Sequence, residues 1–125
     1  MDGETKLTEA VIGAAIEVHR EIGPGLLESV YHRCMIREMT LRNIPFLSKA
    51  KLPIHYKGEL IGEDMEMDFY FPGELVLEIK SHEKIIPIFE AQLLTYLRLS
   101  GTLLGLLINF NVRLLKDGLE RMVLG

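Results

Sequence analysis

The sequence predicts an α/β fold in which helices cover a mixed β-sheet. Apolar residues recur at helical spacing near the start of the chain, and the period changes to that of β-strands after Asn43. A further helical segment, residues 87–99, lies between two apolar segments, 75–79 and 103–110, that have the composition of strands. Because such a helix can act as a crossover, these two strands are predicted to lie parallel with a right-handed connection. The sheet therefore combines parallel and antiparallel pairs.

Two helices are predicted before the sheet. In residues 7–22 the apolar positions recur three and four apart, which is typical of a helix with one buried stripe, and they are Leu7, Val11, Ala14, Ala15, Val18 and Ile22. Gly23-Pro24-Gly25 ends this helix, because proline disfavours helical backbone in the residue before it. The second helix is predicted over residues 26–41, with four side chains in the core: Leu27, Val30, Tyr31 and Cys34.

The middle of the chain has the pattern of strands. Residues 52–56 and 59–61 flank Lys57-Gly58, which predicts a β-hairpin. Residues 65–71 alternate between polar and apolar side chains, which is typical of a strand with two different faces. One face is expected to carry Glu66 and Asp68, and the other Met65, Met67 and Phe69.

The remaining elements follow from turn and helix signals. Pro72-Gly73 predicts a turn, and the apolar run 75–79 after it is expected to be a buried central strand. Pro87 is well suited to the first position of the crossover helix, which ends before Ser100-Gly101. Two last strands are predicted over residues 103–110 and 119–124.

The length and composition indicate a single domain over residues 1–125. By area scaling, a chain of 125 residues buries roughly 65 to 70% of the surface that its unfolded form exposes, which is enough for one core. Cys34 is the only cysteine, which excludes an intramolecular disulfide and a four-cysteine zinc site. This cysteine usage fits a reducing cytoplasm.

We expect a soluble cytoplasmic protein that does not enter a membrane. Residues 1–4 lack the basic start and apolar run of a signal peptide. The most apolar segment, residues 93–112, is interrupted by polar residues and glycine and falls short of the roughly 20 apolar residues of a membrane span. The formal net charge of −4 disfavours simple coating of nucleic acid, which depends on Lys and Arg, but it does not exclude a nuclease.

Three charged side chains are brought together by two adjacent predicted strands. Glu78 and Lys80 are two residues apart and so share a face, and the tight turn before their strand places Asp68 beside Glu78. Two carboxylates with water suit a hard cation such as Mg²⁺ or Mn²⁺, and a lysine can position or deprotonate a water molecule. The competing interpretation is a structural ion cluster on a solvated sheet face. Because an unpaired charge in an apolar strand costs several kcal/mol, the burial expected for Glu78 favours a functional role.

Three further residues are candidates by position. Gln92 and Tyr96 are four residues apart and so share one face of the crossover helix. Gln92 can orient water, a carboxylate or a phosphate, and Tyr96 can stack or donate a hydrogen bond, although both also suit an ordinary polar helix edge. Glu28 lies in the first turn of the second predicted helix, where a carboxylate complements the helix dipole by about 0.3 to 1 kcal/mol.

Five segments, in order along the chain, match one protein family. Residues 25–31 have the form Gly-x-x-Glu-x-x-Tyr, and the other matching segments are residues 18–25, 78–80, 90–97 and 105–110. By these segments the chain resembles the GxxExxY proteins of the PD-(D/E)XK nuclease superfamily. The resemblance implies a restriction-endonuclease-like α-β-β-β-α-β core, with a mixed central sheet flanked by helices. It also implies that Asp68 and Glu78 are metal ligands, that Lys80 is the catalytic lysine and that Glu28 is an acid contributed to the metal site by the early helix. Gln92 and Tyr96 are similar to a pair that positions substrate in related nucleases.

The activity implied by this resemblance is divalent-metal-dependent hydrolysis of phosphodiester bonds in DNA, with Mg²⁺ or Mn²⁺ as cofactor. One position departs from the family pattern: a basic residue is expected two positions before Asp68, where this chain has Glu66. The alternative is therefore a catalytically silent nuclease-fold module that binds nucleic acid or a protein partner. A chain of this length leaves no room for a separate target-recognition domain, so we expect either form to act as a homodimer or with a protein partner.

Overall fold

The computed structural model describes residues 5–125 as three helices and a five-stranded mixed sheet, which confirms the predicted α/β class. The elements are α1 (Lys6–Ile22), α2 (Glu28–Leu41), β1 (Leu47–Tyr56), β2 (Glu59–Phe71), β3 (Leu75–Lys80), α3 (Pro87–Ser100), β4 (Leu104–Asn109) and β5 (Leu119–Val123). A short 3-10 turn, Leu115–Gly118, precedes β5. The start of the predicted domain and the segment tested for a signal peptide, residues 1–4, lie outside the described residues.

The strands are arranged in the order in which they occur along the chain, β1-β2-β3-β4-β5. Strands β3 and β4 are parallel, and the other three pairs are antiparallel. Helix α3 connects the two parallel strands, as the sequence predicts. This connection places the carboxyl ends of β3 and β4 at the same edge of the sheet.

Two apolar clusters cover the two faces of the sheet. Helices α1 and α2 pack on the first face, with a core that includes Val11, Tyr31, Met35, Phe69 and Leu77. Helix α3 covers the second face, with a core that includes Val76, Leu93, Tyr96, Leu97 and Leu107. Because β3 is buried on both faces, it is apolar at almost every position.

The ends of the helices follow local sequence signals. Thr5 begins α1: its side chain accepts a hydrogen bond from the Thr8 backbone N–H at 3.1 Å, and the Thr8 hydroxyl accepts one from the Thr5 N–H at 2.7 Å. Pro87 occupies the first turn of α3, and Gly101 ends that helix with a left-handed backbone, at φ 68°.

Two side chains that the sequence assigns to the core are exposed. Ile22 is 37% exposed because it is the last residue of α1, and Leu27 is 74% exposed because it precedes α2 with extended backbone. Val30 and Cys34 are only half-buried, and Leu7 is also half-buried. Leu7 and Cys34 nevertheless pack against the first cluster, whereas Leu27 lies outside the helix to which its spacing assigned it.

The hairpin β1–β2 is longer than predicted. Strand β1 begins at Leu47 instead of residue 52, and β2 is one continuous strand where the sequence indicates two segments. The predicted common face of β2 is also wrong: Phe69 packs in the cluster beneath α1 and α2, whereas Met65 and Met67 pack in the cluster beneath α3. Residues two apart in a regular strand share a face, so the alternation is interrupted at Asp68.

Within residues 5–125, no helix has the length and apolarity that crossing a membrane requires.

Candidate active site

Asp68 and Glu78 lie opposite each other where β2 and β3 separate. Regular backbone pairing of these strands ends at Phe69 and Leu77. Beyond that point the Glu78 Oε2 atom accepts a hydrogen bond from the Asp68 backbone N–H at 2.8 Å, and the Asp68 Oδ2 atom accepts one from the Ile79 backbone N–H at 2.7 Å. The two carboxylates thus take the place of strand carbonyls, and each uses one oxygen for this purpose.

Burial favours the protonated form of both carboxyl groups. The Glu78 side chain is almost completely buried, and this burial, together with the nearby negative charge of Asp68, raises the pKa of Glu78 to about 8. Burial also raises the pKa of Asp68. The backbone N–H donors and the charge of Lys80 act in the opposite direction on both groups. Additional positive charge in this site would therefore be bound favourably.

Lys80 ends β3 close to these carboxylates. Its backbone carbonyl accepts a hydrogen bond from the Phe110 N–H at 2.9 Å, which fixes the end of the strand. The Nζ atom lies 4.6 Å from the centre of the Phe89 ring in α3. The ammonium group is thereby held over an aromatic face on the α3 side of the sheet, where it acts electrostatically on Asp68 and Glu78.

Glu28 reaches the same region from helix α2. It is the first residue of that helix and lines a cavity of about 310 Å³ together with Asp68. Its Oε1 atom lies 3.9 Å from the Nε2 atom of His82, just beyond the end of β3. The negative charge of Glu28 contributes to the raised pKa of Glu78. The structure therefore brings Glu28 near the two strand carboxylates.

The loop before α2 is tied down by a tyrosine. The Tyr31 hydroxyl donates a hydrogen bond to the Gly23 carbonyl at 2.6 Å and accepts one from the Leu26 N–H at 3.2 Å. The Leu26 carbonyl in turn accepts a hydrogen bond from the Ser81 hydroxyl at 2.6 Å. Because these bonds connect the loop to the end of β3, they fix the position of Glu28 relative to the sheet.

The two predicted residues of α3 differ in their surroundings. Tyr96 is buried, and burial, with the negative charges of Glu78, Asp68 and Glu66, raises the pKa of its hydroxyl to about 12. Tyr96 therefore stays protonated and lies within electrostatic range of the carboxylates. Gln92 is half-buried one turn earlier, and its amide makes no hydrogen bond with any residue in the range 5–125.

A comparison with known protein families matches residues 5–122 to the PD-(D/E)XK nuclease superfamily, in agreement with the fold. The chain belongs to the PD-(D/E)XK nuclease superfamily. No curated protein and no solved structure matches the chain significantly. Members of this superfamily typically depend on a metal ion. Whether a cation fits this site depends on the ligand atoms that the site offers.

The two strand carboxylates of this PD-(D/E)XK domain fit a hard divalent cation. Asp68 and Glu78 each have a second oxygen, Oδ1 and Oε1, outside the backbone hydrogen bonds, and both carboxyl groups lack a full counter-charge. Among the described residues, no three or more His, Cys, Asp or Glu side chains are grouped as a complete metal site. This pattern suits Mg²⁺ or Mn²⁺, which bind through one or two carboxylates and keep water or phosphate in the remaining positions.

The sequence pattern missed Lys49, which lines the same cavity as Asp68 and Glu28. Lys49 lies in β1, and its position beside Asp68 depends on the register between β1 and β2, which shifts twice between the predicted hairpin turn and this position. Glu66, the departure from the family pattern, pairs with Lys51 across the hairpin, with 2.9 Å between the Nζ and Oε2 atoms. The hydrogen bond from Lys51 lowers the pKa of Glu66.

Proposed function

We propose that this superfamily member is a divalent-metal-dependent nuclease that hydrolyses phosphodiester bonds in DNA. The observation that supports the proposal is the reciprocal bonding of Asp68 and Glu78 to the backbone of the neighbouring strand. It presents the buried Glu78 carboxylate and the half-buried Asp68 carboxylate side by side, each with an oxygen left for a cation. Carboxyl groups whose pKa values are raised by burial and by a neighbouring carboxylate occur frequently at active sites, which supports a functional role for this pair.

In this proposal Asp68 and Glu78 hold Mg²⁺ or Mn²⁺, and Glu28 joins them from helix α2. The cation supplies a Lewis acid for the phosphate oxygens and for water. Lys80 positions the attacking water, and its ammonium charge offsets negative charge that develops on the phosphate oxygens. The protonated Tyr96 hydroxyl donates a hydrogen bond to substrate, and the Gln92 amide, which has no partner among the described residues, orients it.

The placement of Glu28 also supports membership of the GxxExxY subfamily. Gly25 has φ of 91°, a left-handed conformation that glycine adopts without strain, and it allows the loop to turn into α2. Tyr31, the last residue of the motif, binds this loop through its hydroxyl. The glycine and the tyrosine of the motif thus both serve to position its glutamate.

We further propose that the enzyme acts in the cytoplasm on DNA as a homodimer or with a protein partner. Residues 5–125 contain one candidate site in a small cavity, and the net charge of the full chain is −4, which is unfavourable for extensive contact with DNA by one copy. A second copy or a partner would supply the additional contacts.

The proposal is tested by incubating labelled single-stranded, linear duplex and circular DNA with Mg²⁺ or Mn²⁺, with EDTA as a control. The variant Glu78→Ala should lower the cleavage rate by more than about a hundredfold, since even groups behind a metal ligand contribute about ten- to a hundredfold. The matched control is Glu74→Ala, which removes an exposed carboxylate from the turn between the same two strands and should cleave like wild type.

Two results would contradict the proposal. Cleavage by Glu78→Ala at the wild-type rate would remove the assigned site. Absence of cleavage by the wild-type protein on every DNA, with either cation, would favour a nuclease-fold module that binds nucleic acid or a protein partner without hydrolysing it.

A further inference from the structure

The cavity beside Asp68 contains basic residues that the metal site does not use. Six residues line it: Glu28, Ser29, His32, Arg33, Lys49 and Asp68. Two of them are acids that the proposed function assigns to the cation, and two, Arg33 and Lys49, are bases without an assigned role. The cavity thus contains two acids that can bind a metal ion and two bases that can bind an anion. This charge pattern suits a site that holds a metal ion and an anion together.

Lys49 is held in an unusual backbone conformation. Its φ is 53° although it is the third residue of strand β1, between Ser48 and Ala50, which pair with Phe69 and Met67 of β2. Residues other than glycine rarely adopt this conformation, and when they do it is often at a functional site. Ser48 is anchored on its other side, because its hydroxyl lies 2.8 Å from the Nε2 atom of His32. The backbone is therefore fixed in the position that places the Lys49 side chain at the cavity.

The Lys49 ammonium group faces acids without forming a close pair with any of them. Its charge lowers the pKa values of Asp68 and Glu66, so it lies within electrostatic range of both. Among residues 5–125 it makes neither a hydrogen bond nor an ion pair within 4.0 Å. It is exposed and remains available to a ligand.

Arg33 completes the basic side of the cavity from helix α2. Its Nε atom donates a hydrogen bond to the Ser29 carbonyl at 3.3 Å, one turn earlier in the helix. Within the described part of the chain, the rest of the guanidinium group has no carboxylate partner. His32, between these residues, is buried and stacks on Phe69, and burial and the nearby Lys49 lower its pKa. His32 is therefore an uncharged residue in the lining of the cavity, and Arg33 and Lys49 supply the positive charge.

We propose that Lys49 and Arg33 form a subsite for a backbone phosphate of the DNA strand, next to the phosphate that is hydrolysed. The inference rests on the proposed function and names how that site holds its substrate. A lysine provides a point charge for a phosphate oxygen, and a guanidinium group can donate two hydrogen bonds to it. The family pattern has a basic residue at position 66, where this chain has Glu66. Lys49, in strand β1, supplies a positive charge in its place. The acid at position 66 is thus compatible with binding of a phosphate.

The test compares two lysines of the same hairpin. Lys57, at the hairpin turn, also has a positive φ, of 48°, but lies outside the residues that line the cavity. The variants Lys49→Gly and Lys57→Gly therefore remove the same charge and accommodate the same kind of backbone. Both are made in a Lys80→Ala background, so that DNA remains intact, and binding of a fluorescent oligonucleotide is measured by anisotropy with Mg²⁺ at several salt concentrations.

We expect Lys49→Gly to weaken DNA binding about tenfold at low salt and to reduce the slope of log affinity against log salt by about one, since one phosphate contact is lost. Lys57→Gly should change neither quantity. Arg33→Ala should act like Lys49→Gly. The thermal melting temperatures of all variants are measured first, and glycine is expected to preserve the fold because it adopts positive φ without strain.

A Mn²⁺ titration separates the subsite from a role in balancing the charge of Asp68. If Lys49 only balances that charge, Lys49→Gly changes Mn²⁺ affinity while the salt slope for DNA stays at the wild-type value, and the inference is overturned. If the protein that retains Lys80 cleaves DNA, but Lys49→Gly leaves the salt slope of DNA binding unchanged, the subsite is refuted and the nuclease is not. DNA binding that depends on Lys49 in a protein that never cleaves supports the subsite and refutes the nuclease, and absence of any DNA binding refutes both.

Discussion

The Glu78 carboxyl group experiences opposing influences on its proton. The hydrogen bond from the Asp68 N–H favours the ionised form, whereas burial and the charge of Asp68 favour the protonated form. Burial is the largest influence, and the pKa rises from an ordinary value of 4.5 to about 8. At neutral pH without a cation, the native protein therefore holds a proton that the unfolded chain releases.

This difference predicts a pH-dependent stability. Because the native pKa of Glu78 is raised, its contribution to the free energy of unfolding is fully present below about 4.5 and is lost as pH rises through about 8. The slope from this one group reaches at most about 1.4 kcal/mol per pH unit. The variant Glu78→Gln keeps an oxygen for the Asp68 N–H and carries no titrating proton. We expect it to gain stability relative to wild type as pH rises from 5 to about 8, measured by urea unfolding in EDTA.

Comparing the unfolding free energies of wild type and Glu78→Gln separates the contribution of Glu78 from those of other titrating groups. Asp68 shifts in the same direction as Glu78, and Glu66 shifts in the opposite direction, so the wild-type curve alone contains several contributions. A difference in unfolding free energy between wild type and Glu78→Gln that stays constant from pH 5 to 9 would show that Glu78 is ionised in the native state.

At the scale of the elements, the end of β4 organises the loop beside the site. The Asn109 side chain accepts a hydrogen bond from the His82 N–H at 3.0 Å and donates one to the His82 carbonyl at 2.9 Å. The 3-10 turn before β5 packs so tightly on this strand end that a Cβ atom on Gly118 would overlap the Asn109 carbonyl oxygen. The position of His82, which lies near Glu28, thus depends on a glycine outside the site.

We predict that Gly118→Ala destabilises the protein by about 2 kcal/mol or more, since the added methyl group meets backbone that cannot move without disturbing β4. The expected loss is measured as a lower midpoint of chemical unfolding. Gly13→Ala is the contrasting variant, because its Cβ atom would meet only the end of the Arg42 side chain at 3.2 Å. In the interior of α1 this change should stabilise by about 0.5 to 1 kcal/mol. Equal midpoints for the two variants would contradict the close packing of the turn.

Elements were predictable from sequence wherever a local signal determines them. Pro87 and Gly101 mark the two ends of α3, and the structure uses both as predicted. The proximity of Asp68 and Glu78 was also predictable, because a tight turn fixes the register of the two strands that it joins. Leu27 was misassigned because helical spacing was extended across the loop before α2, where the backbone is extended.

Lys49 shows why the remainder of the candidate site could not be predicted. Its place depends on strand pairing across a long hairpin and on a positive φ in a residue type that rarely adopts one. Nor does the sequence indicate that alternation along β2 reverses at Asp68, where Phe69 and Met67 pack into different clusters. The roles assigned to the site residues remain predictions that the proposed experiments test.

For the molecule as a whole, the candidate site lies where the two layers of the fold meet. Glu28 comes from a helix on one face of the sheet and Tyr96 from the helix on the other, while Asp68 and Glu78 lie between them in the sheet. A cation bound there would offset the charges that burial makes unfavourable. Binding of the cation is therefore expected to stabilise the whole domain.

We predict that Mn²⁺ raises the melting temperature, and more at pH 8 than at pH 5.5, because the cation must displace protons from groups whose pKa values are raised. At ten times the dissociation constant the gain is about 1.4 kcal/mol, which corresponds to roughly 4 to 6 °C for a domain of this size. The measurement is differential scanning fluorimetry over a Mn²⁺ series, with Asp68→Asn and with Glu74→Ala as the matched control. Asp68→Asn should lose the shift and Glu74→Ala should keep it. An equal shift in both variants would mean that Mn²⁺ binds elsewhere on the protein.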